Sequence, residues 1–225
     1  MPVKAPPYLD QPTDQMAPFI GGDFTSQGYA FGYAGAMFAP YGSLDNSGLR
    51  LYLEGGGGVY KYFSDDDRLV RGSVTKAEFL FGYGLQGATY SINFFVGANV
   101  EDDSLSMPDP TNPVQGTQFG VMGRTDWWIN PTAQTLLSGE AEYSTAFRTY
   151  WVKAQYGYDV TMGKEIFVGP EAIFQGDARY DQWRLGAHVT ALHFGKVDVQ
   201  FSGGYVHDSN LGSGGYGIVE LYTKF

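Results

Sequence analysis

Three histidines, His188, His193 and His207, are where acid–base or nucleophilic chemistry would have to start, because the chain has no cysteine. A catalytic histidine needs an acid or amide to orient it and, for acyl transfer, a serine in hydrogen-bond reach. The sequence sets His188 on the same strand face as Arg184, with Glu220 or Asp198 as candidate partners, whereas His193 falls in a turn and His207 at a strand end. A structural histidine is the reading adopted, and no catalytic residue is assigned. Ser73 and Lys76 have the Ser-x-x-Lys spacing of an acylase pair, but on a strand residues three apart point to opposite faces. Gly212-Ser213-Gly214-Gly215-Tyr216-Gly217 fits G-x-G-x-x-G, a dinucleotide fingerprint only between a strand and a helix; here a strand follows, which leaves a hairpin loop. Gly55, Gly56, Gly57 and Gly58 lack the following G-K-[ST] of a phosphate loop and instead permit close packing, a bend or an inserted group. Asp65-Asp66-Asp67 and Glu101-Asp102-Asp103 cluster oxygen ligands that suit Ca²⁺. Without EF-hand spacing they are read as solvated charge on outer loops. No metal and no cofactor is expected.

Composition narrows the classes further. The 225 residues carry 14 Lys+Arg against 24 Asp+Glu, a formal charge of -10, which argues against a nucleic-acid partner, since that affinity comes from neutralising phosphates. The absence of cysteine excludes disulfides and thiolate-ligated zinc. Aromatics at 16% and 32 glycines, with only 17% charged residues, favour strands and tight turns over helices. There is no run of 18 apolar residues and no signal-peptide pattern at the start.

The elements that must position these side chains are strands with a period of two. Over residues 88–101, Ala88, Tyr90, Ile92, Phe94, Val96, Ala98 and Val100 share one face, and Thr89, Ser91, Asn93, Phe95, Gly97, Asn99 and Glu101 the other. Elsewhere Leu49, Leu51 and Leu53 oppose Arg50, Tyr52 and Glu54; Phe119, Val121, Thr125 and Trp127 oppose Met122, Arg124, Asp126 and Trp128; Trp183, Leu185, Ala187, Val189 and Ala191 oppose Arg184 and His188. The strands run about 10 to 14 residues, enough to cross a bilayer at a tilt of about 45°. A soluble sheet would bury the apolar face; a transmembrane barrel turns it to lipid and the polar face to the lumen. Strand length, and the alternation of short turns (130–133, 162–165, 193–196) with longer polar segments (64–72, 102–116, 175–181, 208–214), favour the membrane version. A lipocalin-like soluble barrel remains the fold alternative.

The expectation is therefore all-β: a single closed antiparallel transmembrane β-barrel of twelve strands. Eleven strands are clear, and an extra one at 18–24, turning at 25–28, makes the count even. The link at 143–147 is then an unusually tight outer loop. Residues 1–17, with four prolines, form a flexible periplasmic arm, and 18–225 the barrel. On this scheme Arg50, Glu54, Lys76, Glu78, Arg124, Asp126, Glu140, Glu142, Lys153, Arg184, His188 and Glu220 line the lumen. Asp159, Glu171, Asp198 and Lys224 also face inward. Two readings of this set stay open: a mutually paired network that fills the lumen, or the lining of a passage or sugar-binding channel. Trp127 and Trp183 fit an interfacial girdle, while inward Trp128 and Trp151 would stack on sugar rings or plug the lumen.

Several segments, in order, carry a family resemblance. They are Gly21-Gly22-Asp23-Phe24, Asn112-Pro113-Val114-Gln115-Gly116, Tyr143-Ser144-Thr145-Ala146-Phe147, Gly169-Pro170-Glu171, the run from Tyr180 to His188, Gly204-Tyr205-Val206-His207-Asp208-Ser209 and Gly214-Gly215-Tyr216-Gly217. Together they resemble the alphaproteobacterial BcsS family, named for its genes beside those of bacterial cellulose synthesis. The opening Met-Pro-Val-Lys-Ala-Pro-Pro also looks like a mature outer-membrane start after removal of a signal peptide. The resemblance implies a protein of the cell outer membrane, in contact with the lipid bilayer and lipopolysaccharide. It implies a non-enzymatic accessory, scaffold or narrow conduit, of cellulose or exopolysaccharide secretion, with polysaccharide or other cell-envelope proteins as partners. The alternatives are a small passive pore for ions or oligosaccharides and, less favoured, a lipid- or glycan-modifying enzyme using His188.

Overall fold

A computed structural model describes residues 14–161 and 165–225. Along them run twelve strands. The first six are β1 (Met16–Thr25), β2 (Ala30–Phe38), β3 (Gly48–Phe63), β4 (Leu69–Gly87), β5 (Tyr90–Leu105) and β6 (Gly116–Thr132). The rest are β7 (Thr135–Ser144), β8 (Tyr150–Asp159), β9 (Phe167–Gly176), β10 (Asp181–Phe194), β11 (Val197–Asp208) and β12 (Gly212–Thr223). Each pairs antiparallel with its sequence neighbour, and β12 pairs with β1 to close a barrel, so no sheet edge is left open. The even count returns both chain ends to one rim. There the Gln15 amide donates to the Phe225 carbonyl at 2.6 Å and the Phe225 amide to Met16 at 2.8 Å.

The period-two pattern puts large apolar side chains outside. Leu53, Phe79, Phe81, Val121, Phe174 and Leu185 are each more than half exposed on the outer wall, while Arg50, Arg184 and His188 are buried within. This inverts a soluble barrel and removes the lipocalin-like alternative: such an apolar exterior has no place in water and fits lipid. The interior is less polar than the alternation implies. Tyr52, Leu80, Phe95 and Met122 form one inward apolar cluster, and Ile173, Val206, Tyr216 and Ile218 a second.

Several boundaries differ from the sequence reading. β1 begins at Met16, because Met16 and Ala17 already pair with Phe38 and Met37; of the arm expected over 1–17, residues 1–13 lie outside the described residues, as do Met162, Gly163 and Lys164 of the turn expected at 162–165. Ala88 and Thr89 form a two-residue connection between β4 and β5, so they are turn and not strand. β5 instead runs on to Leu105, which makes Glu101-Asp102-Asp103 part of a strand: Glu101 and Asp103 line the interior, and Asp102 accepts from Thr117 on the other face. In β10 the register shifts between Val189 and Leu192, with Ala191 at φ 63°. This bulge takes Ala191 off the outer face and buries it. The tight loop over 145–149 is a two-residue turn with Phe147 and Arg148 both at positive φ (49° and 58°), closed by Thr149 N–H to Ala146 O at 3.2 Å.

Candidate functional site in the barrel lumen

The strands do not fill their interior. A cavity of about 410 Å³ runs down it, within the range of ligand-sized pockets. Its lining starts with Tyr62, Arg179, Asn210 and Leu211 at the rim away from the chain ends and continues to Ala17, Met37 and Tyr222 near the terminal rim. The open part follows β12 and β1 to β8, with Gln175, Gln182 and Asp208 of β9 to β11 completing the lining toward the distal rim. The opposite side is filled by the Ile173–Val206 cluster and by Arg184 and His188.

Nine of the twelve residues expected to line the lumen do line this cavity: Glu54, Lys76, Glu78, Arg124, Asp126, Glu140, Glu142, Lys153 and Glu220. Arg124, on β6, bridges Glu140 at 2.5 Å and Glu142 at 2.7 Å on β7, and its guanidinium lies 4.6 Å from the centre of the Tyr52 ring. Lys153 on β8 reaches Glu140 at 2.9 Å and, across the lumen, Glu220 on β12 at 3.1 Å. Lys76 pairs with Glu101 at 3.3 Å. Asp126 accepts from Asn93 at 2.7 Å, and Glu54 from the Tyr52 hydroxyl at 2.5 Å. Trp151 Nε1 donates to Glu140 at 3.0 Å, while Trp128 packs edge-on against Phe167.

Three expected lumen residues sit elsewhere. Arg50 is spent on backbone: it donates to the carbonyls of Leu44 (3.1 Å), Asn46 (2.5 Å) and Leu49 (3.0 Å), which clamps the 39–47 connection beneath the barrel. Arg184 is fully buried against Asp23 at 2.7 Å and Gln182 at 2.7 Å, ringed by Trp151 and Tyr216. His188 pairs with neither Arg184 nor an acid. Its nitrogens meet Thr190 Oγ1 at 2.7 Å and the Tyr156 carbonyl at 3.2 Å, and it lies outside the cavity lining. A separation of four positions between Arg184 and His188 on an extended strand is too far for contact. Of the other inward charges, Glu171 accepts from Gln155 and Tyr216, Asp159 caps its own turn through Thr161, Asp198 meets His193, and Lys224 reaches Asp45 at 3.1 Å.

The sequence reading missed part of the lining. Asp23, Glu101, Asp103, Asp177 and Asp208 join the six carboxylates named above, and Lys61 and Arg179 join Lys76, Arg124 and Lys153. Eleven acidic side chains against five basic ones leave a formal excess of six acids. It also missed the aromatic wall of Phe19, Tyr29, Phe31 and Tyr33, which adjoins Tyr52, already set on the inward face with Arg50 and Glu54. The signal was in β2, where Phe31, Tyr33 and Met37 alternate with Gly32, Ala34 and Ala36 in the phase opposite to the other strands, a phase that Tyr29 just before the strand continues. Pairing of Asp23 with Phe31 fixes that phase.

At the distal rim the connections lean over the opening. Arg179 bridges Asp65 at 2.5 Å between the β9–β10 and β3–β4 connections, which ties up part of the first acidic triplet. This bond holds the Asp65 carboxyl below its ordinary range and Arg179 above. Asp109 accepts from Tyr62 at 2.8 Å and from Thr111 at 2.9 Å, which lowers its pKa and pins segment 106–115 with buried Asn112 and Val114. Burial pushes the Asp177 carboxyl up to about 6. Among the described residues, no group of three or more His, Asp or Glu side chains is arranged to hold a metal ion.

This geometry can hold cations and hydroxylated solutes along a charged and aromatic path. A family model for cellulose biosynthesis protein BcsS matches residues 17–225, nearly the whole barrel and its approach. The chain belongs to the BcsS family. No curated protein matches it. Among solved structures it is similar to the KdgM porin, at 10% identity and a TM-score of 0.50, covering 93% of this chain and 99% of that one. It is also similar to the β domain of the Bordetella autotransporter BrkA, at 12% identity and 0.48, covering 95% and 100%. At such identities the likeness of this BcsS-family chain to the porin speaks for the barrel fold alone.

Proposed function

We propose that this BcsS-family barrel sits in the outer membrane and serves the secretion of cellulose or a related exopolysaccharide as a narrow, non-enzymatic conduit. The observation that carries the reading is the continuous cavity from the distal connections to Ala17 and Tyr222, in a barrel whose outer wall is apolar. Membership of the family supplies the link to cellulose, and the position of His188 outside the cavity lining gives an enzymatic reading no geometric support. A passive pore for ions is the second reading, favoured by the acidic excess of the lining.

The test uses the missing cysteine. In cells lacking the native gene, both wild type and Glu78→Cys restore surface exopolysaccharide; a bulky thiol reagent then abolishes secretion only in the variant, because Glu78 is the sole labelled site and lies in the lumen. Restoration that survives full labelling contradicts a conduit and moves the role to a docking scaffold.

A further inference from the structure

Two of the four glycines of β3, Gly56 and Gly58, and the aromatic side chains of β2 explain each other. A Cβ on Gly56 would meet Phe31 Cε1 and Cζ at 2.8 Å, and one on Gly58 would meet Phe31 Cδ2 at 2.8 Å. One on Gly35 would meet Phe19 Cζ at 2.5 Å, and one on Gly21 would run into the Tyr33 ring. The rings therefore lie down on glycine backbone, the arrangement by which an aromatic covers a bare strand position. Laid against the wall, Phe31, Tyr33 and Phe19 line the cavity, whereas the Arg124 guanidinium lies over the ring of Tyr52. Tyr29, Phe31 and Tyr33 are close to coplanar in orientation, with interplanar angles of 11° and 28° and centroids 6.5 and 6.3 Å apart. Phe19 follows Tyr33 at 6.4 Å and Tyr52 follows Phe19 at 5.5 Å. Four rings thus descend from the β1–β2 turn toward the terminal rim, spaced by about the length of one sugar unit, with Phe19 tilted by 56° to Tyr33 and Tyr52 buried behind it.

Such a strip is chemically selective. The face of an aromatic ring is electron-rich and attracts the C–H-bearing face of a pyranose. A chain of β-linked, all-equatorial sugars presents those faces as a flat tape, while an α-linked chain coils away from the wall. Carboxylates complete the recognition by accepting from the hydroxyls at the tape's edges. Glu54 and Glu78 line the same cavity, and Glu78 Oε1 has no hydrogen-bond partner among the described residues. The same carboxylates repel a uronate chain.

We propose that Tyr29, Phe31, Tyr33 and Phe19 form a stacking track for a neutral β-linked glucan chain, a specificity that rests on the reading of the lumen as a glycan passage. The purified wild-type barrel in detergent is titrated calorimetrically with three hexamers: β-1,4-linked glucose, α-1,4-linked glucose and α-1,4-linked galacturonate. The β-glucose hexamer binds at least tenfold more tightly than either of the others. Phe31→Leu/Tyr33→Leu, which still covers the glycines, weakens that binding at least tenfold, while its folded-barrel gel mobility stays as in wild type. Equal binding of all three hexamers by wild type, no binding of the β-glucose hexamer, or unchanged affinity in the folded double variant overturns the track. The wild-type comparison decides the matter even where the variant does not fold. Conduction without hexamer binding refutes the track and leaves the passage standing; binding without conduction refutes the passage and leaves the track as a glycan site.

Discussion

Lys153 and Arg124 show how single residues set the character of the lumen. Each cation is held by two carboxylates, so neither leaves an uncompensated charge in the barrel, yet the carboxylates outnumber the cations. Asp177 adds a charge that is switchable at ordinary pH. Its folded-state pKa of about 6 lies above the ordinary aspartate value of 3.8. Protonation thus favours the folded vestibule, and this contribution to stability, full below the unfolded value, is lost as pH rises through about 6. The opposite holds for its electrostatic effect: above pH 6 it adds a negative charge to the cavity lining. Asp177→Asn is expected to match wild-type cation selectivity at pH 5 and to fall below it at pH 7.5, as read from reversal potentials in reconstituted bilayers. Selectivities that stay equal across that range contradict the assignment. The inward charges were legible in the sequence, because a charge amid alternating apolar residues marks the lumen face. The aromatic strip was not: aromatics elsewhere face lipid, and only the Asp23–Phe31 pairing reveals that β2 runs in the opposite phase.

Elements differ in how openly their sequences declare them. Long alternating runs such as β5 and β6 could be read directly, but their ends could not. Ala88 and Thr89 carry no turn signal, and the acidic triplet at 101–103 looks like loop although its alternation continues to Leu105. The bulge at Ala191 leaves the apolar pattern intact in sequence while displacing one residue from it. Turn 145–149 is the clearest conflict between local preference and architecture, with two non-glycine residues in the left-handed region, where an L side chain costs about 1–2 kcal/mol. Phe147 is buried there, so its ring compensates, whereas Arg148 is exposed. Arg148→Gly should stabilise the barrel by about 0.5–1 kcal/mol, measured as a higher urea midpoint for unfolding from lipid vesicles. A lower midpoint would mean that the Arg148 side chain holds the turn in a way its exposure does not reveal.

At the scale of the whole molecule, loop parity was enough to count the strands, because a closed antiparallel barrel with both ends on one rim admits only an even number. Whether the lumen was open could not be read that way, since it depends on which inward side chains meet across the barrel. Lys153 and Glu220 do meet, and the Ile173–Val206 apolar cluster fills one side; along β12 and β1 to β8 a lined cavity remains. An excess of six carboxylates in that lining makes any passage attractive to cations, as charged linings do in channels. The account stands most directly on single-channel recording of the refolded protein in a planar lipid bilayer under a KCl gradient. It predicts steady conductance steps with a reversal potential of the sign for cation preference. A folded barrel that inserts and stays silent, or one that prefers anions, would contradict it.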